Sequence, residues 1–183
     1  HPAALYDLAI RTVAEAFDDA LNAYDAVVQC GEGDRLKPEL KKALIRAMDF
    51  LLDAVAEHFD DAKSCLQIVL EDLPRNEASR HLRQYADDIR EVRAFCATQV
   101  NEMKHRQGRL QLVHMTFANS VLWGYFVQGV GRHGEIGPSR LVHKSNTAYS
   151  FGRAFRMLAM AVFFTSKALA AAMLRSPSHR LER

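Results

Sequence analysis

Cysteine is scarce in this chain: three residues in 183, Cys30, Cys65 and Cys96, with no CxxC pair. An odd and widely spaced set argues against a disulfide framework and a structural zinc site. The three thiols read as small apolar core residues. A reducing, cytoplasmic setting is the expectation that follows. Catalytic signatures are missing too. There is no GxSxG, no HExxH and no Cys/His dyad, and the glycines from Gly129 to Gly137 match neither Walker nor Rossmann spacing. Nucleophilic and zinc hydrolysis therefore have no support, and no metal or cofactor is expected.

A long uncharged run is also lacking. The most apolar stretch, Ala154 to Leu174, could span a bilayer by length, but Arg156 and Lys167 interrupt it. Its alanines suit close helix packing, so it is predicted to be the central buried helix, with no membrane partner.

What is present is ordinary globular composition, 49% hydrophobic and 25% charged. The length suits one domain, taken as residues 1–175, with 176–183 read as a disordered tail. Leu5, Leu8, Val13, Phe17, Leu21, Tyr24 and Val28 recur at helical spacing and predict a first helix over 2–29. It stops at Cys30-Gly31-Glu32-Gly33-Asp34. A second helix is predicted over 38–73, with a bend near Asp60-Asp61, closed by Leu73-Pro74. A third, over 76–107, carries Leu82, Tyr85, Ile89, Val92, Cys96, Val100 and Met103 on one stripe, with Asn76 as N-cap and Gly108 as stop. Short loops between them predict an antiparallel bundle.

The period then changes from 3.6 to two. Val113, Met115 and Phe117 alternate with polar residues, as do Trp123, Tyr125 and Val127, with Asn119-Ser120 between the runs. This predicts a β-hairpin, with Arg140–His143 as a short third strand. The last helix is predicted over 149–175. The fold class expected is mainly α: an antiparallel four-helix bundle with a small hairpin or three-strand insert at about 109–146, before the last helix.

Charge is unevenly distributed along the chain. Residues 1–103 hold 12 Lys and Arg against 20 Asp and Glu, whereas 104–156 hold 8 against 1. An acidic bundle thus carries a basic insert with interleaved aromatics (Phe117, Trp123, Tyr125, Phe126, Tyr149, Phe151). Such a patch attracts polyanions, and its rings suit base stacking. Equally, it suits packing against the chain's own acidic helices or a second copy.

The densest polar cluster is Asn101-Glu102-Met103-Lys104-His105-Arg106-Gln107-Gly108-Arg109. Asn101 and His105 share a helix face at i,i+4, and Lys104 and Arg106 flank His105. One titratable imidazole between fixed cations suits acid–base cleavage of a phosphodiester, and also suits a solvated helix end. Arg153 and Arg156 sit in the first turns of the last helix, where the dipole disfavours cations. They are expected to face Asn101–His105 and complete a basic pocket.

Asn-x-x-Lys-His closing a long helix, with long antiparallel helices and a short insert, resembles the HEPN-type helical bundles. That resemblance implies an RNA- or nucleotide-associated protein, with metal-independent RNase chemistry of a toxin or phage-defence type. It implies His105 and Asn101 as catalytic residues, and Lys104, Arg106, Arg109, Arg153 and Arg156 as phosphate ligands. The family's Arg–polar–His spacing is met by Arg109 and His114, with Leu110 in the polar place, and by Arg75 and His81, with Asn76 there.

Two other classes fit. A non-catalytic interaction module would dock its basic insert on a protein partner, a second copy included. A divalent-metal nucleotide hydrolase would use Glu15/Asp18 and Glu57/Asp60, which lie in an echoed segment (Val13–Ala20, Val55–Ala62) and resemble the all-α NTP pyrophosphatases. In an antiparallel hairpin these two pairs fall at different heights.

Overall fold

A computed structural model describes residues 1–30, 36–106, 109–117, 120–131, 133–144 and 147–175, apart from the side chains of Arg106 and Phe117. Helix α1 spans Pro2–Cys30 and α2 spans Pro38–Val69. Pro38 starts α2 because a first-turn residue needs no N–H partner. The two run antiparallel. Ala9, Val13, Ala16 and Ala20 line the buried face of α1, and these small side chains bring it close to Met48, Leu51, Leu52 and Val55 of α2. Helix α2 is continuous through Asp60-Asp61, so the expected bend is not there. The segment 31–35, read as a stop and turn, lies outside the described residues, as do Gln107, Gly108, Asn119 and the 176–183 tail.

The predicted third helix is two helices, α3 (Arg75–Asp88) and α4 (Arg90–Arg106). The break falls at Ile89, whose backbone (φ −104°, ψ 0°) leaves the helical region. Asp87 and Asp88 crowd the carboxyl end of α3, where the dipole disfavours anions. Arg90 then turns back to pair with Asp87, and Ile89 is buried. Asn76 is not the cap: Pro74 precedes the first helical residue.

The insert is a small antiparallel sheet. Strand β1 (Leu110–Phe117) pairs along its length with β2 (Ser120–Val130), from Leu110↔Val127 to Phe117↔Ser120. The predicted alternation holds on β2, where Trp123, Tyr125 and Val127 are buried while Leu122 is exposed. On β1 it is reversed, because Leu110 and Leu112 lie opposite Val127 and Tyr125 and pack on the core, and Met115, expected inward, is exposed. The other edge of β2 is shared by β3 (Ile136–Pro138) and β4 (Tyr149–Ser150). Gly124 is required where β4 crosses, because a Cβ there would lie 2.5 Å from the Tyr149 carbonyl oxygen.

Arg140–His143, expected as a strand, is instead a helical turn, α5. Between β3 and β4 the Val127 N–H has no strand partner, and it donates to Nε2 of His143 at 2.9 Å. Folding 140–143 as a turn brings the imidazole there, and Ser139 N–H donates to the Val127 carbonyl at 2.7 Å. The described residues therefore form six helices, one of a single turn, rather than four.

Helix α6 (Phe151–Arg175) begins two residues later than expected, since Tyr149 and Ser150 form β4. It is not the central helix. Its inner face (Ala154, Phe155, Leu158, Ala161, Thr165, Ala168, Leu169, Ala172) is buried, but Met160, Phe163, Phe164 and Leu174 are exposed. Helix α2 holds the centre, packing against α1, α3, α4, α6 and β1.

Two buried imidazoles make this fold acid-sensitive. His58 packs on the Tyr6 ring, and burial pushes its pKa below the ordinary 6.5, with Asp61 opposing weakly. His143 packs on Tyr149 and is also pushed down by burial. Both are held neutral in the fold and bind protons more readily when unfolded, so stability falls as pH drops below about 6.5. Urea midpoints measured from pH 8 to pH 5 should decline, and His58→Leu should flatten that decline. Tyr125→Phe, which strips the buried Gln99 Oε1 of its 2.9 Å donor, should lower unfolding free energy by about 1–3 kcal/mol.

Candidate functional site

The last turns of α4 send their polar side chains in three directions. Gln99 and Glu102 point inward: the Gln99 Oε1 accepts from Tyr125 and the Glu102 Oε1 from Ser139 Oγ, both at 2.9 Å. Lys104 points sideways and pairs with Asp53 of α2 at 3.1 Å. Asn101 and His105 are exposed on the remaining, outward face, sharing it as their spacing predicts. The side chain of Arg106 is outside the described residues.

Lys104 and Arg109 line a cleft of about 540 Å³ against α2, with Ile45, Asp49, Asp53 and Met103 on its walls. Asp49 and Asp53 are one turn apart on α2. Burial, and then the neighbouring Asp53 charge, push the Asp49 carboxyl up to about 6. A phosphate entering here would meet two carboxylates against Arg109 and a Lys104 ammonium that is already paired with Asp53. The cleft suits proton exchange at Asp49 near neutral pH better than anion binding. Sequence reading missed both aspartates, because their i,i+4 spacing on α2 is also that of an ordinary solvated face and only burial sets Asp49 apart.

A second cluster surrounds Tyr149. Its hydroxyl donates to the Val142 carbonyl at 3.0 Å, and its ring meets His143, Phe95 and Tyr125 at 4.7, 5.5 and 6.0 Å. The guanidinium of Arg153 lies 5.6 Å from the ring centroid. Ser150 Oγ accepts the Arg153 N–H at 3.3 Å and so caps α6. Arg156 Nε donates to the Gly152 carbonyl at 3.0 Å. Arg140 and Lys144 flank α5, and Lys144 closes that turn in the left-handed region at φ 51°.

Arg140, Lys144, Arg153 and Arg156 are all exposed, and among the described residues none is paired with a carboxylate. The contacts of Arg153 and Arg156 are with Tyr149 and their own helix, and none reaches Asn101, Lys104 or His105. The expected set is thus divided. Lys104 and Arg109 share the acidic cleft, Asn101 and His105 share the outer face of α4, and Arg153 and Arg156 begin α6. Arg140 and Lys144 were missed as a pair because a strand was expected there, although Gly137-Pro138 followed by i,i+4 cations signals a turn of helix.

The carboxylates considered for a metal do not converge. Glu57 and Asp61 line a small hollow with Leu5, Leu8 and Thr12, well before Glu15 and Asp18 along α1. Among the described residues no three His, Cys, Asp or Glu side chains are grouped to hold a metal ion.

The raised Asp49 carboxyl costs stability when ionised, so its penalty is present above about pH 6 and absent below the ordinary 3.8. Asp49→Asn should raise the urea midpoint at pH 7–8, with the gain disappearing by pH 4. The side-chain carboxyl ¹³C resonance of Asp49 should titrate near 6.

Comparison with protein-family models, with curated proteins and with solved structures returns no match for this chain.

Proposed function

We propose that this chain is an RNA- or nucleotide-associated protein of HEPN-like type that meets phosphate through α5 and the first turns of α6. One observation carries this reading: Arg140, Lys144, Arg153 and Arg156 are exposed and, among the described residues, unpaired with carboxylates, on two elements joined through the Tyr149 ring, which meets His143 of α5 and Arg153 of α6. Cations satisfied within the fold, such as Lys104 on Asp53 and Arg93 on Asp60, have little left to offer a ligand. Unpaired cations release counterions when they meet phosphate, which is the source of polyanion affinity. His105 is the candidate acid–base group for an RNase of the metal-independent kind, with Asn101 on the same exposed face of α4 as its hydrogen-bonding neighbour in catalysis.

A non-catalytic interaction module is the second reading, favoured by the apolar side chains that α6 leaves exposed. A divalent-metal nucleotide hydrolase is the third, and rests on the helix carboxylates alone.

Binding of the purified protein to fluorescent single-stranded RNA, titrated against salt, tests the first reading. Affinity should fall steeply as salt rises. Arg140→Glu with Lys144→Glu should weaken binding and reduce the slope of log K against log salt by about 1.4, near 0.7 for each lost contact. Lys104→Ala should change it little. If RNA is cleaved, His105→Ala should abolish cleavage while leaving binding intact, and EDTA should have no effect. Absence of binding at low salt would remove this reading in favour of the second.

A further inference from the structure

One face of α6 carries exposed apolar residues in a continuous line. Gly152, Arg156, Met160, Phe163, Lys167, Ala170 and Leu174 follow one another at steps of four and three, so they form a single stripe along a helix of about 37 Å. That stripe points away from the bundle. Met160 is 48% exposed, Phe163 61% and Leu174 64%, so about half or more of each large apolar group remains in water. Phe164 stands beside it, its ring 5.6 Å from that of Phe163. Only 33% of the most apolar part of α6 is buried, too little for the core helix its composition suggests.

The charges on this face identify what covers it. Helix α6 contains Arg153, Arg156, Lys167 and Arg175 and no acidic residue. Arg175 is engaged by Asp88 of α3 at 3.3 Å, while Arg156 and Lys167 lie within the apolar stripe itself. A second copy is a poor occupant. In an antiparallel pairing centred on Phe163, Arg156 would meet Ala170 and Lys167 would meet Ala159, burying cations against methyl groups without a counter-charge. An anionic bilayer surface fits both features. Phenylalanine, methionine and leucine enter the acyl boundary while long cationic side chains reach the headgroups. Crossing the bilayer is a different matter, because the inner face of α6 is packed on the bundle.

We propose that the exposed stripe of α6 is a membrane-surface docking face that seats the bundle on anionic lipid, with Met160, Phe163 and Leu174 entering the interface and Arg156 and Lys167 contacting headgroups. This face shares Arg156 with the proposed RNA surface but lies apart from Arg140 and Lys144, so Phe163 and Lys167 test it separately from the RNA reading.

Co-sedimentation of the full chain with vesicles tests it. Vesicles of phosphatidylcholine with one-third phosphatidylserine should pellet the protein at least about tenfold better than phosphatidylcholine alone, with loss of the preference at high salt. Phe163→Ser and Lys167→Glu, both at exposed positions and checked for retained helicity by circular dichroism, should each cut that partition at least about fivefold. Arg140→Glu should leave it nearly unchanged. The proposal is overturned by equal partition to neutral and anionic vesicles, or by Phe163→Ser pelleting like the parent protein. It is also overturned if Phe163→Ser converts a dimer to a monomer by light scattering, or abolishes RNA binding, since the face would then belong to a second copy or to RNA.

Discussion

The packing of Tyr125 against Gln99 and the aromatic residues around it is the constraint on which the rest of the molecule depends. The Tyr125 hydroxyl is fully buried and donates to Gln99, whose amide in turn donates to the Phe95 carbonyl at 3.2 Å. Its ring meets Tyr149 of β4 and Phe151 of α6, and Phe151 continues the contact to Tyr24 of α1 and to Phe155. One strand residue thereby ties the sheet to α4, α6 and α1. A buried phenol without a partner is costly, so the hydrogen bond selects one seating of the sheet on the bundle. Tyr149 is held from behind by this arrangement, and that is what places Arg153 on one of its sides and α5 on another.

Electrostatics then sorts the cations. The acidic helices take up those within reach: Arg93 pairs with Asp60, Lys104 with Asp53 and Arg175 with Asp88. Exposed pairs of this kind contribute about 0–1 kcal/mol each, so their effect is to orient side chains more than to stabilise the fold. The basic insert is consequently neither wholly self-neutralised nor wholly free. Its α4 end faces Asp49 and Asp53, whereas the cations of α5 and early α6 pair with no carboxylate among the described residues. The exposed stripe of α6 extends the same imbalance along a helix without a single acidic residue.

Local periodicity made much of the fold legible before any coordinates. The span of α1, the alternation of β2 and the position of the insert before the last helix follow from patterns of 3.6 and two residues. What escaped depends on contacts distant in sequence. The break at Ile89 lies inside an unbroken apolar stripe and results from Asp87 and Asp88 at a helix end. Arg140–His143 has the composition of a strand, yet the need for an acceptor at the Val127 N–H makes it a turn. Alanine-rich α6 read as the core because composition cannot tell which side of a helix is covered. Asp49 and Asp53 were hidden for a related reason: their significance lies in burial beside Lys104, which no spacing within α2 reveals. Asn101 and His105 were placed on one face correctly, but Arg153 and Arg156 were joined to them on charge alone.

We propose that phosphate meets the unpaired cations of α5 and early α6 rather than the Lys104–Asp53 cleft. The most direct test of that claim is residue-resolved: backbone amide resonances of the labelled protein, followed while a short single-stranded RNA is added at low salt. The account predicts that shifts concentrate at Arg140, Lys144, Tyr149 and Arg153 and fade as salt is raised. Shifts centred on Asp49, Asp53 and Lys104, with the α5 turn unmoved, would contradict it.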